Sequence, residues 1–330
     1  MLIRKQIIIC SLALILVVSG ILGLSTAGAS GSESIRMGLI LKNLTNPWFT
    51  QTLTGAKEAA SELNVELIVL NCMEQPETQL NQVEDLISSQ VDAIITFATS
   101  LEGGEVMGAK AHAAGIPYIV LDNFHKNMSL NIMTSDNIKG GNMQANYVVE
   151  KLKGEGIVVI LQGKPGELSA QNRTQGNIDI YEKYPDIRVV GPYSADWDAN
   201  KAMQVMEDVL QKEQKIDAVV ANNDTMILGA IAALESFGIQ DVITVGWDTI
   251  PEAIKAIREG KLNASVDANA IWLGDTGVRC AYKMITSSIG ESALSDVEIF
   301  KQSWGFEPAI VSPIVMLTKD NVDEIYPIEK

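Results

Sequence analysis

The sequence predicts an α/β protein in which two similar lobes, each a doubly wound parallel sheet, are joined by a hinge with three crossovers. Two observations lead to this prediction: short apolar strands alternate with amphipathic helices, and the whole pattern occurs twice along the chain. Short runs rich in Val and Ile, separated by helical periods, are typical of parallel sheets with helices on both faces. About 300 residues after the N-terminal segment suffice for two domains of ordinary size.

The first copy of the pattern runs in a regular order. Strands are predicted at residues 35–41, 66–70, 93–97 and 118–121, and helices at residues 48–63, 77–89 and 103–114. The pattern resumes with apolar or amphipathic segments at residues 157–161, 178–184, 188–190, 202–210, 218–221, 225–237 and 243–247.

An internal repeat relates the two copies. Residues 91–95 (VDAII) are echoed by residues 216–220 (IDAVV), and each segment is followed by a helix that ends at a Gly-Ile pair. The next strand ends in Asp122 in the first copy and in Asp248 in the second. A repeat this long indicates duplicated domains rather than a solenoid.

The lobes should exchange chain segments at the hinge. We expect crossovers near residues 134–137, 266–269 and 303–308. Residues 36–136 and 267–303 would then form the N-terminal lobe, and residues 137–266 and 304–330 the C-terminal lobe. Several connections restrict the motion to a hinge, and a ligand that contacts both lobes would shift the population towards the closed form.

The N-terminal segment, residues 1–29, has the form of a secretory signal peptide. Arg4 and Lys5 precede an apolar run at residues 7–24, and Ala27 and Ala29 form an A-x-A cleavage site. The protein is therefore expected in the periplasm or another extracytoplasmic space. N-terminal sequencing of the protein from its host should start at or near Ser30, whereas a protein that keeps Met1 and partitions with membranes would favour an uncleaved anchor.

Composition excludes several classes of function. The formal net charge is -16, which gives no electrostatic basis for binding nucleic acid or an anionic membrane surface. After cleavage only Cys72 and Cys280 remain, and they show no metal spacing; burial as apolar residues is favoured, although an exported location permits a disulfide. We predict no cofactor, no metal and a monomer.

Polar residues cluster where the predicted strands end. In open parallel sheets, ligands bind beyond the carboxyl ends of the strands. These ends carry Asn43, Asn46, Phe97, Thr99, Asp122, Asn123, residues 222–224 and Asp248. Carboxylates and amides form paired hydrogen bonds with vicinal hydroxyls, and Trp48, Phe49, Trp197 and Trp247 offer flat apolar faces to a sugar ring. Asp224 fits a helix cap and a ligand contact equally well, and Trp48 and Phe49 fit either the core or the cleft.

No enzyme mechanism emerges from the remaining motifs. His112 lies within a predicted helix, and His125 lies in a loop with no evident nucleophile beside it. Ser169 reads as a helix cap rather than a nucleophile. The segment at residues 163–166 (GKPG) lacks the spacing of a phosphate loop, and its proline removes a backbone donor.

Several short motifs, taken in order and spacing, carry a resemblance to a known family. They are NPWF at residues 46–49, GIP at 115–117, LD at 121–122, SDN at 135–137 with GG at 140–141, LQG at 161–163, ADWD at 195–198, NND at 222–224 and VGWD at 245–248. Across residues 36–325 the chain resembles the periplasmic sugar-binding proteins of the ribose-binding type, in the type I periplasmic-binding superfamily.

The resemblance implies roles for individual residues. Asn46, Trp48 and Phe49 match the first-lobe loop that supplies a hydrogen bonder and aromatic faces. The other expected ligand contacts are Phe97, Asp122, Asn123, Ser135, Arg173, Trp197, Asn223, Asp248, Asp267 and Asn269.

Three departures from the family pattern bear on the ligand. Asn123 stands where ribose binders have Arg, Phe97 where they have Asn, and Ala268 about where they have Gln. Because an unpaired buried hydroxyl costs about 1–3 kcal/mol, we expect the protein not to prefer ribose.

The resemblance implies a binding protein, not an enzyme, that delivers a monosaccharide or polyol to an ABC transporter permease. The alternative role is a sensor that presents its ligand to a chemoreceptor or a sensor kinase. Sugar-responsive repressors share the fold, but they carry a basic helix-turn-helix where this chain has its predicted signal peptide.

Overall fold

A computed structural model describes residues 34–126, 128–133, 136–213, 215–287, 298–302 and 305–328. The predicted signal peptide and Ser135 lie outside these ranges. Among the helices described there, none combines the length and the apolar character needed to cross a membrane.

The first part of the chain alternates strands and helices. The elements are β1 (Arg36–Leu41), α1 (Pro47–Glu62), β2 (Glu66–Asn71), α2 (Pro76–Ser88), β3 (Ala93–Thr96), α3 (Leu101–Ala113), β4 (Tyr118–Leu121) and β5 (Leu130–Met133). The strands and helices predicted before residue 122 are confirmed. The sequence did not predict β5, because Asn131 interrupts its apolar run; the buried Asn131 side chain bonds to the backbone of His125.

The second part repeats this alternation. It contains α4 (Asn137–Leu152), β6 (Gly156–Gln162), α5 (Leu168–Tyr181), β7 (Ile187–Ser194), α6 (Ala199–Lys212), β8 (Ala218–Ala221), α7 (Asp224–Ser236), β9 (Ile243–Trp247), α8 (Pro251–Glu259) and β10 (Ala264–Asp267). Helix α5 begins well before the predicted segment at residues 178–184. Before Ile180 it buries Arg173, Thr174 and Asn177, with Ala170 as the one buried apolar side chain, so the apolar periodicity does not reveal it.

The last part of the chain returns to both sheets. Its elements are α9 (Ala270–Thr286), β11 (Glu298–Gln302), β12 (Gly305–Val311), β13 (Val315–Thr318) and α10 (Val322–Ile325).

The strands form two separate sheets. The first has the order β11-β12-β5-β4-β3-β1-β2 and is parallel except for the β11–β12 pair. The second has the order β13-β10-β9-β8-β6-β7 and is parallel except for the β10–β13 pair. We call the first sheet with α1, α2, α3 and α9 the first lobe, and the second sheet with α4 to α8 and α10 the second lobe.

Both faces of the first sheet are buried, as a doubly wound fold requires. Leu39, Ile95 and Leu121 point into one apolar cluster, while Ile40 and Ile94 point into another on the opposite face. With both faces covered, the carboxyl edges of the strands remain open for polar side chains.

The chain passes from the first sheet to the second between β5 and α4, and back between β10 and α9. The third passage differs from the expected one near residues 303–308. Strand β12 pairs with β5 in the first sheet, through Ala309, Ile310 and Val311, and only β13 joins the second sheet. The apolar end of β12 completes the first sheet, so residues 305–311 move to the first lobe. With this boundary corrected, the division into lobes remains our proposal.

Candidate functional site

A cavity of about 420 Å³ lies at the carboxyl edges of both sheets. This volume falls in the range typical of small-molecule sites. Eight of the thirteen residues expected to contact a ligand line it: Asn46, Trp48, Phe49, Asp122, Arg173, Trp197, Asn223 and Asp248. The other twelve lining residues are Lys42, Asn43, Thr45, Pro47, Glu74, Lys164, Glu167, Ser169, Asp196, Asp198, Lys201 and Thr225.

The first lobe contributes an aromatic corner at the start of α1. Asn46 caps this helix by accepting a hydrogen bond from the backbone nitrogen of Trp48 at 3.0 Å, and Pro47 occupies the first helical position. The rings of Trp48, Phe49 and Phe97 meet edge to face, with centroids 5.1 to 5.5 Å apart. Trp48 and Phe49 line the cavity, whereas Phe97 is 2% exposed and supports them from behind.

Arg173 is the principal cation of the second lobe. It is 4% exposed, and its Nε donates to Oδ1 of Asn137 while Nη1 donates to the backbone oxygen of Asn222, both at 2.8 Å. Close packing of α4 against α5 fixes its position, because a Cβ on Gly141 would lie 2.2 Å from the Arg173 carbonyl oxygen. The guanidinium is therefore held before any ligand arrives.

Aromatic rings and a carboxylate surround the same guanidinium. Its central carbon lies 4.1 Å from the ring centroid of Trp247 and 5.7 Å from that of Trp197, within the range of cation–π attraction. Nη1 lies 3.7 Å from Oδ1 of Asp248. Burial lowers the pKa of Arg173, and Asp248 is the strongest of the carboxylates that oppose this effect.

Asp122 and Asp248 occupy matched positions in the two lobes. Asp122 follows β4 and donates its backbone N–H to Ile132 at 2.7 Å; Asp248 follows β9 and donates to Val266 at 2.9 Å. Both have positive φ angles, 70° and 116°, which are uncommon outside Gly and Asn. Both line the cavity, so each sheet brings one strand-end carboxyl group to it. Burial raises the pKa of Asp248 well above its usual value, while Arg173 opposes the rise.

The NND motif contains a cap and a buried structural acid. Asn223 caps α7 by accepting from the backbone nitrogen of Met226 at 2.9 Å, and it also lines the cavity. Asp224 is fully buried; it accepts from Ser265 Oγ at 2.7 Å and from the Ile250 backbone nitrogen at 3.1 Å. The two roles considered for Asp224, helix cap and ligand contact, are therefore both wrong: the carboxyl group faces the interior and ties β10 to α7.

Burial raises the pKa of Asp224 to about 7, so this group should make stability depend on pH. Between about pH 4 and pH 7 the folded protein keeps a proton that the unfolded chain has released, so the free energy of unfolding falls as pH rises through this window. Asp224→Asn should remove that part of the decline when urea denaturation is compared at pH 5 and pH 8. The exposed Asp85→Asn serves as control, and equal slopes in wild type and Asp224→Asn would contradict the prediction.

The two tryptophans of the second lobe behave differently. Trp197 lines the cavity and donates from Nε1 to Glu167 at 3.0 Å. Trp247, expected to offer an aromatic face, is 0% exposed and packs against Gly140, where a Cβ would lie 2.0 Å from Cη2. Its indole ring supports Arg173 instead of lining the cavity.

Asp267 and Asn269 do not reach the cavity. Oδ1 of Asp267 accepts from Thr249 Oγ1 at 2.9 Å and from the Asn269 backbone nitrogen at 2.7 Å, and Oδ2 accepts from the Tyr326 hydroxyl at 2.8 Å. Asn269 precedes α9 in a left-handed conformation, with φ of 50°. Asp267 therefore binds the passage between the lobes to the C-terminal segment. Asn123 lies beside a smaller cavity described below.

The cavity also contains charged residues that the sequence did not single out as ligand contacts. Glu74 follows β2 in a turn with positive φ angles at Met73 and Glu74, and its carboxylate accepts from Asn43 and pairs with Lys164 of the second lobe. Lys164 belongs to the GKPG segment that had been set aside as a poor phosphate loop. Partial burial raises the pKa of Glu74, but the hydrogen bonds from Lys164 and Asn43 outweigh this effect, so the pKa is lower than usual. The pair joins the two lobes at the cavity.

Because the Glu74–Lys164 pair joins the lobes, breaking it should favour opening. We expect Glu74→Gln to speed ligand release by up to about fivefold, the effect of a partly exposed ion pair, and to weaken the salt dependence of affinity. Stopped-flow release at two ionic strengths measures both. Glu84→Gln removes a comparable pair with Lys110, 2.9 Å apart within the first lobe, and should leave release unchanged. An unchanged release rate in Glu74→Gln would contradict this role of the pair. So would a failure of the double variant Glu74→Lys with Lys164→Glu to restore the wild-type release rate.

The two histidines and the two described cysteines lie outside the lining of the main cavity. His112 contacts Ser129 Oγ through Nε2 at 2.9 Å on the surface of α3, and burial lowers the pKa of His125 to about 4. Cys72 and Cys280 are both buried, as expected for apolar packing. Within the described residues, no cluster of three or more His, Cys, Asp or Glu side chains could hold a metal ion.

The chain is similar in sequence to periplasmic binding proteins. A model of the periplasmic binding protein domain matches residues 37–291. The ribose import binding protein of Bacillus subtilis (strain 168) is 30% identical over 256 residues, 77% of this chain and 83% of that protein. The D-allose-binding periplasmic protein of Escherichia coli (strain K12) is 32% identical over 270 residues, 78% of this chain and 85% of that protein.

A solved structure gives a similar result. An ABC transporter solute binding protein from Bacillus halodurans C-125, with bound myo-inositol, has a TM-score of 0.79 and 31% identity; the match covers 90% of this chain and 99% of that one.

Proposed function

The chain belongs to the periplasmic binding protein family, and from this premise we propose that it captures a neutral monosaccharide or polyol between its lobes and delivers it to an ABC transporter permease. The observation that carries the proposal is the pair Asp122 and Asp248, which bring one strand-end carboxyl group from each sheet to a cavity also lined by Trp48 and Trp197. Such carboxyl groups can accept hydrogen bonds from sugar hydroxyls, and the indole faces suit the apolar side of a sugar ring.

The cavity supports binding rather than catalysis. Its most buried charged groups, Arg173 and Asp248, form a pair with each other, and Arg173 is fixed further by hydrogen bonds to Asn137 and Asn222. Within the described residues, neither side chain forms a hydrogen bond with a Ser, Cys or Lys side chain that could act as a nucleophile. We propose that the protein holds its ligand without changing it, outside the cytoplasm, where the family works.

The ligand should not be ribose. Phe97 is buried behind the aromatic corner, and Ala268 is fully buried and apolar, so neither position supplies a hydrogen bond to the cavity. Two unpaired hydroxyls would weaken ribose binding by roughly a hundredfold or more.

A thermal-shift screen of sugars, polyols and nucleosides tests the function. A ligand that binds only the folded protein raises its melting temperature, and calorimetry then ranks the compounds that do so. The proposal expects a sugar or polyol other than ribose to bind most tightly. A response confined to nucleosides would contradict it, and tight binding of ribose above all other compounds would contradict the ligand preference alone.

A further inference from the structure

A second cavity of about 190 Å³ adjoins the main one, and we call it the side cavity. Lys42, Glu167 and Ser169 line both spaces, so the two are consecutive parts of one cleft. Asn123 lines the side cavity and directly follows Asp122, which lines the main cavity. A ligand held by Asp122 therefore lies next to the entrance of the side cavity.

Both lobes build the side cavity. The first lobe supplies the segments that follow β3 and β4, including Ser100, Leu101 and Phe124, and the second lobe supplies residues 166–169 before and at the start of α5. Leu101 is 41% exposed and Leu168 is 46% exposed, so the space reaches solvent between these two helix starts. A group attached to a ligand in the main cavity can extend in this direction.

The lining offers both polar and apolar groups, as the two kinds of surface on a sugar ring require. Asn123 offers an amide and Ser169 a hydroxyl, while Phe124 adds an aromatic side chain. The ammonium of Lys42 forms no ion pair with any described residue, whereas Lys164 and Lys201 each pair with a carboxylate. Lys42 is thus available to donate to hydroxyl oxygens at the junction of the two cavities.

We propose that the side cavity is a second sugar subsite, so that the protein takes a disaccharide with one ring in each cavity. This inference rests on the proposed function, since the first ring occupies the main cavity as a monosaccharide would. It changes the ligand class from single rings to two linked rings, and it gives Lys42, Asn123 and Ser169 a role in specificity.

The test compares maltose, lactose, sucrose and trehalose with their constituent monosaccharides. We expect at least one disaccharide to bind at least about tenfold more tightly than either of its constituents in calorimetry. Leu168→Trp and Leu101→Trp place a larger ring at the opening from either lobe, and both leucines are exposed, so the fold should tolerate the changes. Each should weaken the disaccharide by at least about tenfold and change monosaccharide affinity by less than about threefold. Val106→Trp, which adds the same ring at an exposed position of α3 that lines neither cavity, should bind both as wild type does.

The outcomes separate the two proposals. Binding of single rings without any tighter disaccharide overturns the subsite and leaves the proposed function standing, as does an equal loss of both ligands in the two Trp variants. Failure of every carbohydrate to bind overturns both.

Discussion

Replacing Arg173 with Met is expected to abolish measurable ligand binding and to lower the free energy of unfolding by about 3–5 kcal/mol, the usual cost of removing one partner of a buried ion pair. The guanidinium is 4% exposed and carries two 2.8 Å hydrogen bonds, to Asn137 and to the Asn222 backbone. Without it, Asp248 would remain buried with no cation beside it. Urea denaturation and calorimetry measure the two effects.

Two further variants separate charge from geometry. Arg173→Lys keeps the charge, but a single ammonium cannot reproduce the planar fork that reaches both partners and stacks on Trp247 at 4.1 Å. We expect it to recover part of the stability and little of the affinity. Combining Arg173→Met with Asp248→Asn should cost less stability than the two single changes together, because the pair is lost as a unit. Wild-type denaturation of Arg173→Met would contradict the role assigned to this pair.

The strands and helices were predictable where burial is carried by apolar side chains. Strands β1, β3 and β4 are buried on both faces, and their content of Val, Ile and Leu predicts this burial. The sequence failed where polar residues are buried. Asn131 interrupts the apolar run of β5 and bonds to the backbone of His125, and Arg173 and Asn177 interrupt the apolar periodicity of α5. Arg173 and Asn177 bond to the side chains of Asn137 and Gln144 on α4, and Asn131 bonds across a loop to a backbone. A pattern of apolar residues contains none of these bonds.

The cavity shows the same division. Asn46, Asp122, Asn223 and Asp248 were predictable because parallel strands end at a common edge, and all four line the cavity. Asp224 follows the same rule by position, yet its carboxyl group turns inward to Ser265. Position along a strand gives the end at which a side chain lies, but not the direction in which it points.

Residues that act between lobes were the hardest to find. Glu74 and Lys164 are separated by 90 positions, and each lies in a turn with no apolar periodicity. Asp267 was expected at the ligand, but the Tyr326 hydroxyl and the Asn269 backbone nitrogen use its oxygens. Tyr326 comes from the C-terminal segment after β13, and the third passage of the chain was itself placed too early. Because the third passage was misplaced, the contacts of the C-terminal segment could not be predicted.

The matched carboxyl groups give the final prediction. Asp122→Ala and Asp248→Ala should each weaken ligand binding by roughly 2 kcal/mol or more, because a hydroxyl that loses a charge-assisted partner stays buried in the closed cleft.

The two changes should differ in stability. Asp248 is 5% exposed and lies beside Arg173, so its loss leaves a buried guanidinium without its carboxylate. Asp122 is only half-buried, so Asp122→Ala should cost affinity with a smaller change in the free energy of unfolding. Calorimetry on both variants, with the exposed Asp85→Ala as control, decides the matter. Wild-type affinity in both variants would show that the ligand is held elsewhere. Equal losses of stability would show that the pairing with Arg173 does not make Asp248 more important for stability than Asp122.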